Sequence, residues 1–347
     1  MTQHHVRPLI VRFGAFGDMV LLTSLIRTLS QRYNSPVDIV SSGPWTAPLL
    51  AGQIGVGDLY LVKSRRRPYW ASPDQWSLVK KLRERGIGPV WFLDAHGLGK
   101  SLLHRAGITP EWLVDAKDFP RISGEHYLEQ QARIANATPP ALNAAPDSHA
   151  DTGPLGVAIA VPAEARVMLK TWLAEHGLDR RPLLLIQAGN KRTMRRGNRQ
   201  RASNTKYWPE AHWAAVIQAM MTHHPEHAIV LLGVPNEYGL NEDIRRITNH
   251  PAVTNAASSL PIPLLLALME RADGMVSIDT GPAHAAAAVA LPIVVLFGMA
   301  EPAFYRPWGL SGAPVICLTA TPGAPLTSLP ITDVIEAFTK LKLRSER

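Results

Sequence analysis

The sequence is nearly devoid of cysteine, Cys317 being the single one. An intrachain disulfide and any metal site built on clustered thiolates are therefore excluded. Acidic residues are also scarce beside basic ones, 28 Asp and Glu against 36 Lys and Arg, for a formal net charge of +8. That excess implies an anionic partner: a nucleotide, a phosphorylated sugar, a nucleic acid or an acidic membrane surface. Long unbroken apolar runs are absent too. The longest uncharged stretch, 280–300, is interrupted by Pro282, His284, Pro292 and Gly298, so it reads as helix and strand pieces and not as a membrane span. The N-terminus sets His4, His5, Arg7 and Arg12 around a very short apolar run, which is not the pattern of a signal peptide. Apolar residues are plentiful, at 46% against 18% charged over 347 residues, enough for sizeable cores in about two domains. The chain reads as soluble and cytosolic.

The positive charge is concentrated. Lys191, Arg192, Arg195, Arg196, Arg199, Arg201 and Lys206 follow one another with no acid between them, and a second knot holds Lys63, Arg65, Arg66 and Arg67. An isolated charge run is most often a solvated loop. Binding of nucleic acid would call for interleaved aromatics or a recognition helix, and neither run has them, so no nucleic-acid partner is expected.

Short β-rich runs alternate with longer helical ones, the pattern of an α/β protein with parallel sheets. Strands are predicted at 8–13, 37–41, 59–62 and 90–94. The first helix, opened by Asp18, should bury Leu22, Leu25, Ile26, Leu29 and Tyr33, which recur at helical spacing. Further helices are expected at 74–85 and 125–135. From 137 to 162 five prolines lie among Ala, Asn and Gly, which marks an inter-domain connection. After a helix at 163–176 the rhythm restarts, with strands at 183–187, 228–232, 274–278 and 293–297. Helices are expected at 209–222, 237–249, 262–271 and 281–291. The predicted architecture is two Rossmann-like, doubly wound lobes with a cleft between them, and ligands beyond the carboxyl ends of the strands.

The segment Asp279, Thr280, Gly281, Pro282, Ala283, His284 is the most informative. An apolar strand ends at Asp279, Thr280 is a good N-cap and Pro282 suits a first helical turn, all of which ordinary capping explains. A protonated His284 there would oppose the helix dipole, so a neutral imidazole donating toward a bound anion is the better account. Gly281 removes the Cβ that would hold a ligand away from free N–H groups, completing a phosphate cradle. The turn Gly14, Ala15, Phe16, Gly17, Asp18 is not a dinucleotide fingerprint. It does place a carboxylate at the tip of the first strand, where a general base belongs, although helix capping explains Asp18 equally well. Lys206 before a proline-started helix, and Glu237 after a strand, are individually commonplace.

Taken in order, these segments resemble the bacterial heptosyltransferases, glycosyltransferase family nine. The resemblance also rests on Leu22 to Arg27, on Asp94 to Ser101, on Lys206-Tyr207-Trp208-Pro209, on Gly233 to Glu237, and on Pro292 to Gly298 with Pro307-Trp308-Gly309. It implies a GT-B fold: an acceptor-binding lobe at 1–160, a nucleotide-sugar lobe at 161–330 and a C-terminal helix at 331–347. It further implies ADP-heptose as donor, with no other cofactor, and an anionic, lipid-linked lipopolysaccharide core acceptor met at the inner face of the inner membrane. By resemblance Asp18 is the base that deprotonates the acceptor hydroxyl, Lys206 holds the diphosphate and Glu237 the adenosine ribose. Asp279 contacts the heptose hydroxyls, and Thr280, Gly281 and His284 lie along the phosphates. Arg65, Arg66, Arg67, Lys100 and His126 fall on the acceptor side. Protein cations would neutralise the leaving diphosphate, so no metal is expected, and a single displacement would invert the anomeric carbon. The chain departs from the family in having His96 for Gln, Met299-Ala300 for Pro-Thr, and a long basic loop between Gly189 and Lys206. A GT-B transferase using another sugar nucleotide, and a non-catalytic binder of anionic glycan or RNA, are the alternative readings.

Overall fold

The computed structural model describes residues 7–63, 65, 67–94, 97–142, 153–190, 201, 204–321 and 324–346. His96, Arg66 and the cations at 191–199 lie outside them. The chain divides into two compact units, Met1–Val157 and Ala158–Arg347.

The first unit runs β1 (Leu9–Val11), α1 (Phe16–Tyr33), β2 (Val37–Ser41), α2 (Thr46–Leu50), β3 (Val56–Leu61), α3 (Pro73–Arg85), β4 (Val90–Phe92), α4 (Gly97–Arg105), β5 (Leu113–Asp115) and α5 (Tyr127–Asn136). Its sheet has the order β3-β2-β1-β4-β5, and every pairing is parallel. The strands β1, β2 and β4 are buried along their whole length, because crossover helices cover both faces of a parallel sheet. Helix α1 buries Leu22, Leu25, Ile26 and Leu29 as its spacing predicts, while Tyr33 packs edge-on against Trp91 at 5.4 Å. The helix begins at Phe16, before Asp18, because the Asp18 carboxylate caps the first turn from inside it.

The second unit runs α6 (Ala163–Glu175), β6 (Leu183–Gln187), α7 (Glu210–His223), β7 (Ala228–Leu231), α8 (Tyr238–Thr248), β8 (Val253–Asn255), α9 (Ile262–Arg271), β9 (Gly274–Ile278), α10 (Gly281–Ala288), β10 (Ile293–Phe297), α11 (Pro302–Tyr305), β11 (Val315–Thr319) and α12 (Ile331–Lys340). Its parallel sheet is ordered β11-β10-β9-β6-β7-β8, which is the dinucleotide-fold order 3-2-1-4-5-6 read from the other edge. Neither sheet closes into a barrel. Trp208 and Trp213 are fully buried in the core of this unit, with ring centroids 5.1 Å apart.

The edge strands β5, β8 and β11 are absent from the sequence reading, and β3 opens at Val56 instead of residue 59. These are edge elements with partly exposed side chains. Such strands need no continuous apolar run and leave little pattern to read.

One buried charge organises the amino edge of the first sheet. Asp38 on β2 is fully buried, accepts from Arg85 Nε at 2.6 Å and from Asp58 N–H at 2.8 Å, and forms an ion pair with Arg7 Nη2 at 2.6 Å. Removing one partner of such a set leaves uncompensated buried charge. Asp38→Ala should therefore lower unfolding free energy by about 3–5 kcal/mol. Denaturant titration with a loss below ~1 kcal/mol would show that the two arginines find other partners.

Candidate functional site

In each parallel sheet the strand order reverses at one place, between β1 and β4 and between β6 and β9, and ligands gather beyond the strand ends there. In the first unit Arg12 follows β1 and spans this point. Its Nη1 donates to Leu93 O, just past β4, at 2.6 Å, and its Nη2 donates to Asp18 Oδ1 at 2.8 Å. Asp18 Oδ2 accepts from Ala15 N–H at 2.7 Å. The fit is close, since a Cβ on Gly14 would lie 2.4 Å from Asp18 Cβ. Burial works against the charge on Arg12, but Tyr127, Asp18 and Asp94 outweigh it and hold the guanidinium above its ordinary pKa. Asp18 is thus both helix cap and ion-pair partner, and it remains partly open to solvent.

In the second unit the segment before α7 is anchored by Trp208, whose Nε1 donates to Leu329 O at 3.2 Å. Asn204 Oδ1 accepts from Lys206 N–H at 3.1 Å, and a Cβ on Gly298 would lie 2.7 Å from Thr205 O. These contacts aim Lys206 at the end of β9. There its Nζ donates to Asp279 O at 2.7 Å and to the Asp279 carboxylate. Thr280 is the N-cap of α10 but makes no side-chain cap; its Oγ1 donates back to Ile278 O at 3.3 Å. His284 lies in the first turn of α10 and is buried.

Glu237 stands beyond β7. Oε2 accepts from Val234 N–H at 2.8 Å, while Oε1 is buried without a hydrogen bond among the described residues. A Cβ on Gly189, past the end of β6, would lie 2.7 Å from Oε1. Gln187 Nε2 donates to Gly189 O at 2.8 Å, beside the carboxylate. Burial pushes the Glu237 carboxyl above its ordinary pKa, opposed by the Val234 N–H and Gln187. A buried carboxylate with an unused oxygen at a strand tip lowers stability and is a mark of a binding site.

Part of the chain matches a family model. Residues 193–324 match glycosyltransferase family 9 (heptosyltransferase). The chain is a heptosyltransferase-like glycosyltransferase with a family 9 domain. It is 25% identical over 302 residues to lipopolysaccharide heptosyltransferase 3 of Escherichia coli, an alignment spanning 84% of this chain and 83% of that one. Among solved structures, the family 9 glycosyl transferase of Veillonella parvula DSM 2008 superimposes with a TM-score of 0.78 at 18% identity, over 98% of both chains. E. coli ADP-heptose lps heptosyltransferase II gives 0.72 at 20% identity, covering 96% of this chain and 97% of that one. These matches show that the fold is of the GT-B type.

The transferase therefore brings Lys206 and Asp279 into direct contact, with Thr280, Gly281 and His284 at the same helix start. The residues expected on the acceptor side are dispersed in their contacts. Arg65 Nη1 reaches Phe13 O at 3.4 Å and lies over the Phe13 ring, beside the β1 turn, and Arg67 is exposed. Lys100 on α4 is paired with the Asp115 carboxylate. His126 is buried as the N-cap of α5, with Nδ1 accepting from Leu128 N–H at 3.2 Å. Arg201, read from sequence as one of an uncompensated run, is buried between Glu210 and Asp243, with Asp243 Oδ2 at 2.8 Å. Its partners come from α7 and α8, outside the run. Arg12 and Gly189 received no role from sequence, although a charged residue directly after a buried strand is itself a signal.

The raised Glu237 pKa has a defined consequence for stability. Stability from such a group is fully present below the unfolded carboxyl value of about 4.3 and is lost as pH rises through the higher folded value. Glu237→Gln should therefore gain thermal stability over the parent on going from acidic to neutral pH, while binding ADP more weakly. A Tm difference that stays flat with pH would mean that the carboxylate is not strained by burial.

Proposed function

We propose that this transferase moves heptose from ADP-heptose to an anionic, lipid-linked lipopolysaccharide core acceptor, with inversion at the anomeric carbon and without a metal in the transfer step. The observation that carries the reading is the Lys206–Asp279 pair at the N-terminus of α10, at the switch point of a dinucleotide-type sheet. The matched lipopolysaccharide heptosyltransferases suggest the sugar and the acceptor class.

In this reading the donor diphosphate lies along Thr280 and Gly281, near His284. Lys206, steered by Asp279, supplies the cation for the charge that grows on ADP as the anomeric bond breaks. The Asp279 carboxylate is left to accept from heptose hydroxyls. Glu237 Oε1 accepts from a ribose hydroxyl and gains the hydrogen bond it lacks. Asp18 removes the proton from the acceptor hydroxyl, while Arg12 holds its carboxylate in place. With Lys206 and the helix-start amides facing the phosphates, neither a metal nor a cofactor is required. The acceptor's anionic groups meet Arg65, Arg66 and Arg67. Lys100 and His126 belong to the acceptor side only if they exchange the Asp115 and Leu128 contacts for it. The enzyme works on the cytoplasmic side, peripherally at the inner face of the inner membrane, and takes no nucleic acid. No helix among the described residues is long and apolar enough to cross a membrane.

Asp18→Asn preserves an oxygen for the Ala15 cap but removes the base, together with the charge that Arg12 pairs with. Transfer from ADP-heptose to core acceptor, followed by mass spectrometry of the product, should fall by ~10²–10⁴-fold while ADP affinity changes little. Near-parental turnover would reduce Asp18 to a cap. Lys206→Ala should weaken ADP binding and slow transfer together. Unchanged calorimetric ADP binding in this variant would move the phosphate site elsewhere.

A further inference from the structure

The carboxyl edge of the second sheet carries the transfer residues, but a separate cluster lies at its amino edge. Helix α7 ends at His223, and a tight turn follows, with His227 N–H donating to His224 O at 3.1 Å, before β7 begins. Among the described residues, His224, Glu226 and His227 each offer a ligand atom within 4.8 Å of the others. The turn is held from behind by Arg181, whose guanidinium donates to Glu226 O at 3.0 Å, His227 O at 2.8 Å and Pro225 O at 3.3 Å. With three successive carbonyls tied down, the side chains of Glu226 and His227 project from a fixed backbone.

His227 is the informative member. Its side chain is only 4% exposed, with Glu226 Oε1 2.7 Å from Nδ1 and Asp273 Oδ2 3.3 Å from Nε2. Among the described residues neither ring nitrogen makes a hydrogen bond of good geometry. The carboxylate oxygen is near Nδ1 but off the direction in which that nitrogen bonds. Two ligands on one cation have this relation, each pointing at the ion and not at its neighbour. With metal–ligand bonds of about 2.0–2.2 Å, adjacent donors stand about 3 Å apart. His224 completes the set from the end of α7, its ring edge-on to His227 at 5.2 Å and to Phe338 at 5.8 Å.

We propose that His224, Glu226 and His227 bind a divalent transition metal, zinc by the chemistry of two imidazoles and one carboxylate, with Asp273 orienting His227 through its second nitrogen. The ion would join the end of α7, the start of β7 and the residue that leads into β9. Because these are the amino ends of the strands, the ion is a structural staple and takes no part in sugar transfer.

The test uses the full chain, stripped with chelator, dialysed and titrated with zinc chloride by calorimetry, with cobalt as a spectroscopic second probe. One saturable zinc at micromolar concentration or tighter is expected, together with a rise in Tm and visible cobalt bands of low-symmetry coordination. Glu226→Gln and His224→Gln, at the more accessible positions, should each weaken zinc by more than about tenfold and abolish the Tm rise, with transfer activity retained. Asp273→Asn should weaken it by about 10–100-fold. Absence of saturable binding, binding only at millimolar zinc, or unchanged affinity in both the Glu226 and His224 variants would overturn the proposal.

Discussion

The ion pair between Lys206 and Asp279 is the contact on which the second unit's site depends. A parallel strand delivers the residue just past its end, here Asp279, to a helix start where amides face outward and attract anions. A lysine brought to that point balances the carboxylate and, in the proposed function, faces the diphosphate. The chain invests much structure in that placement: a fully buried Trp208, an Asn204 turn and a glycine at 298 that leaves room for the Thr205 carbonyl.

The first unit solves a related problem with the opposite sign in front. Arg12 bridges the ends of β1 and β4 and holds a partly open carboxylate, Asp18, in a fixed position. Glu237 is a third solution, a carboxylate buried to the point of strain with one oxygen unused. In all three cases strand ends at or beside the switch point hold charged groups that the core alone would not tolerate. Chemistry concentrates there because covered parallel sheets have only their edges open to ligands.

The helices and central strands were legible because their apolar spacing is unambiguous: 37–41, 183–187, 262–271, 274–278 and 293–297 occur as read. The short edge strands were not, because partial exposure removes the pattern. Asp18, Lys206, Glu237 and Asp279 could be singled out by their places in ordered motifs. The sequence could not reveal Arg12 as the partner of Asp18, nor that Lys100 and His126 are engaged by Asp115 and a helix cap.

By itself the sequence determined the α/β class and the resemblance to glycosyltransferase family nine, since periodicity and motif order are properties of the chain read in line. Only the tertiary structure decided which charges are neutralised. Arg201 is the clearest case: seven basic positions look alike in sequence, yet this one is buried against Glu210 and Asp243, which are brought to it by α7 and α8. A pairwise electrostatic contact depends on distance and burial, and residues distant in sequence supply both.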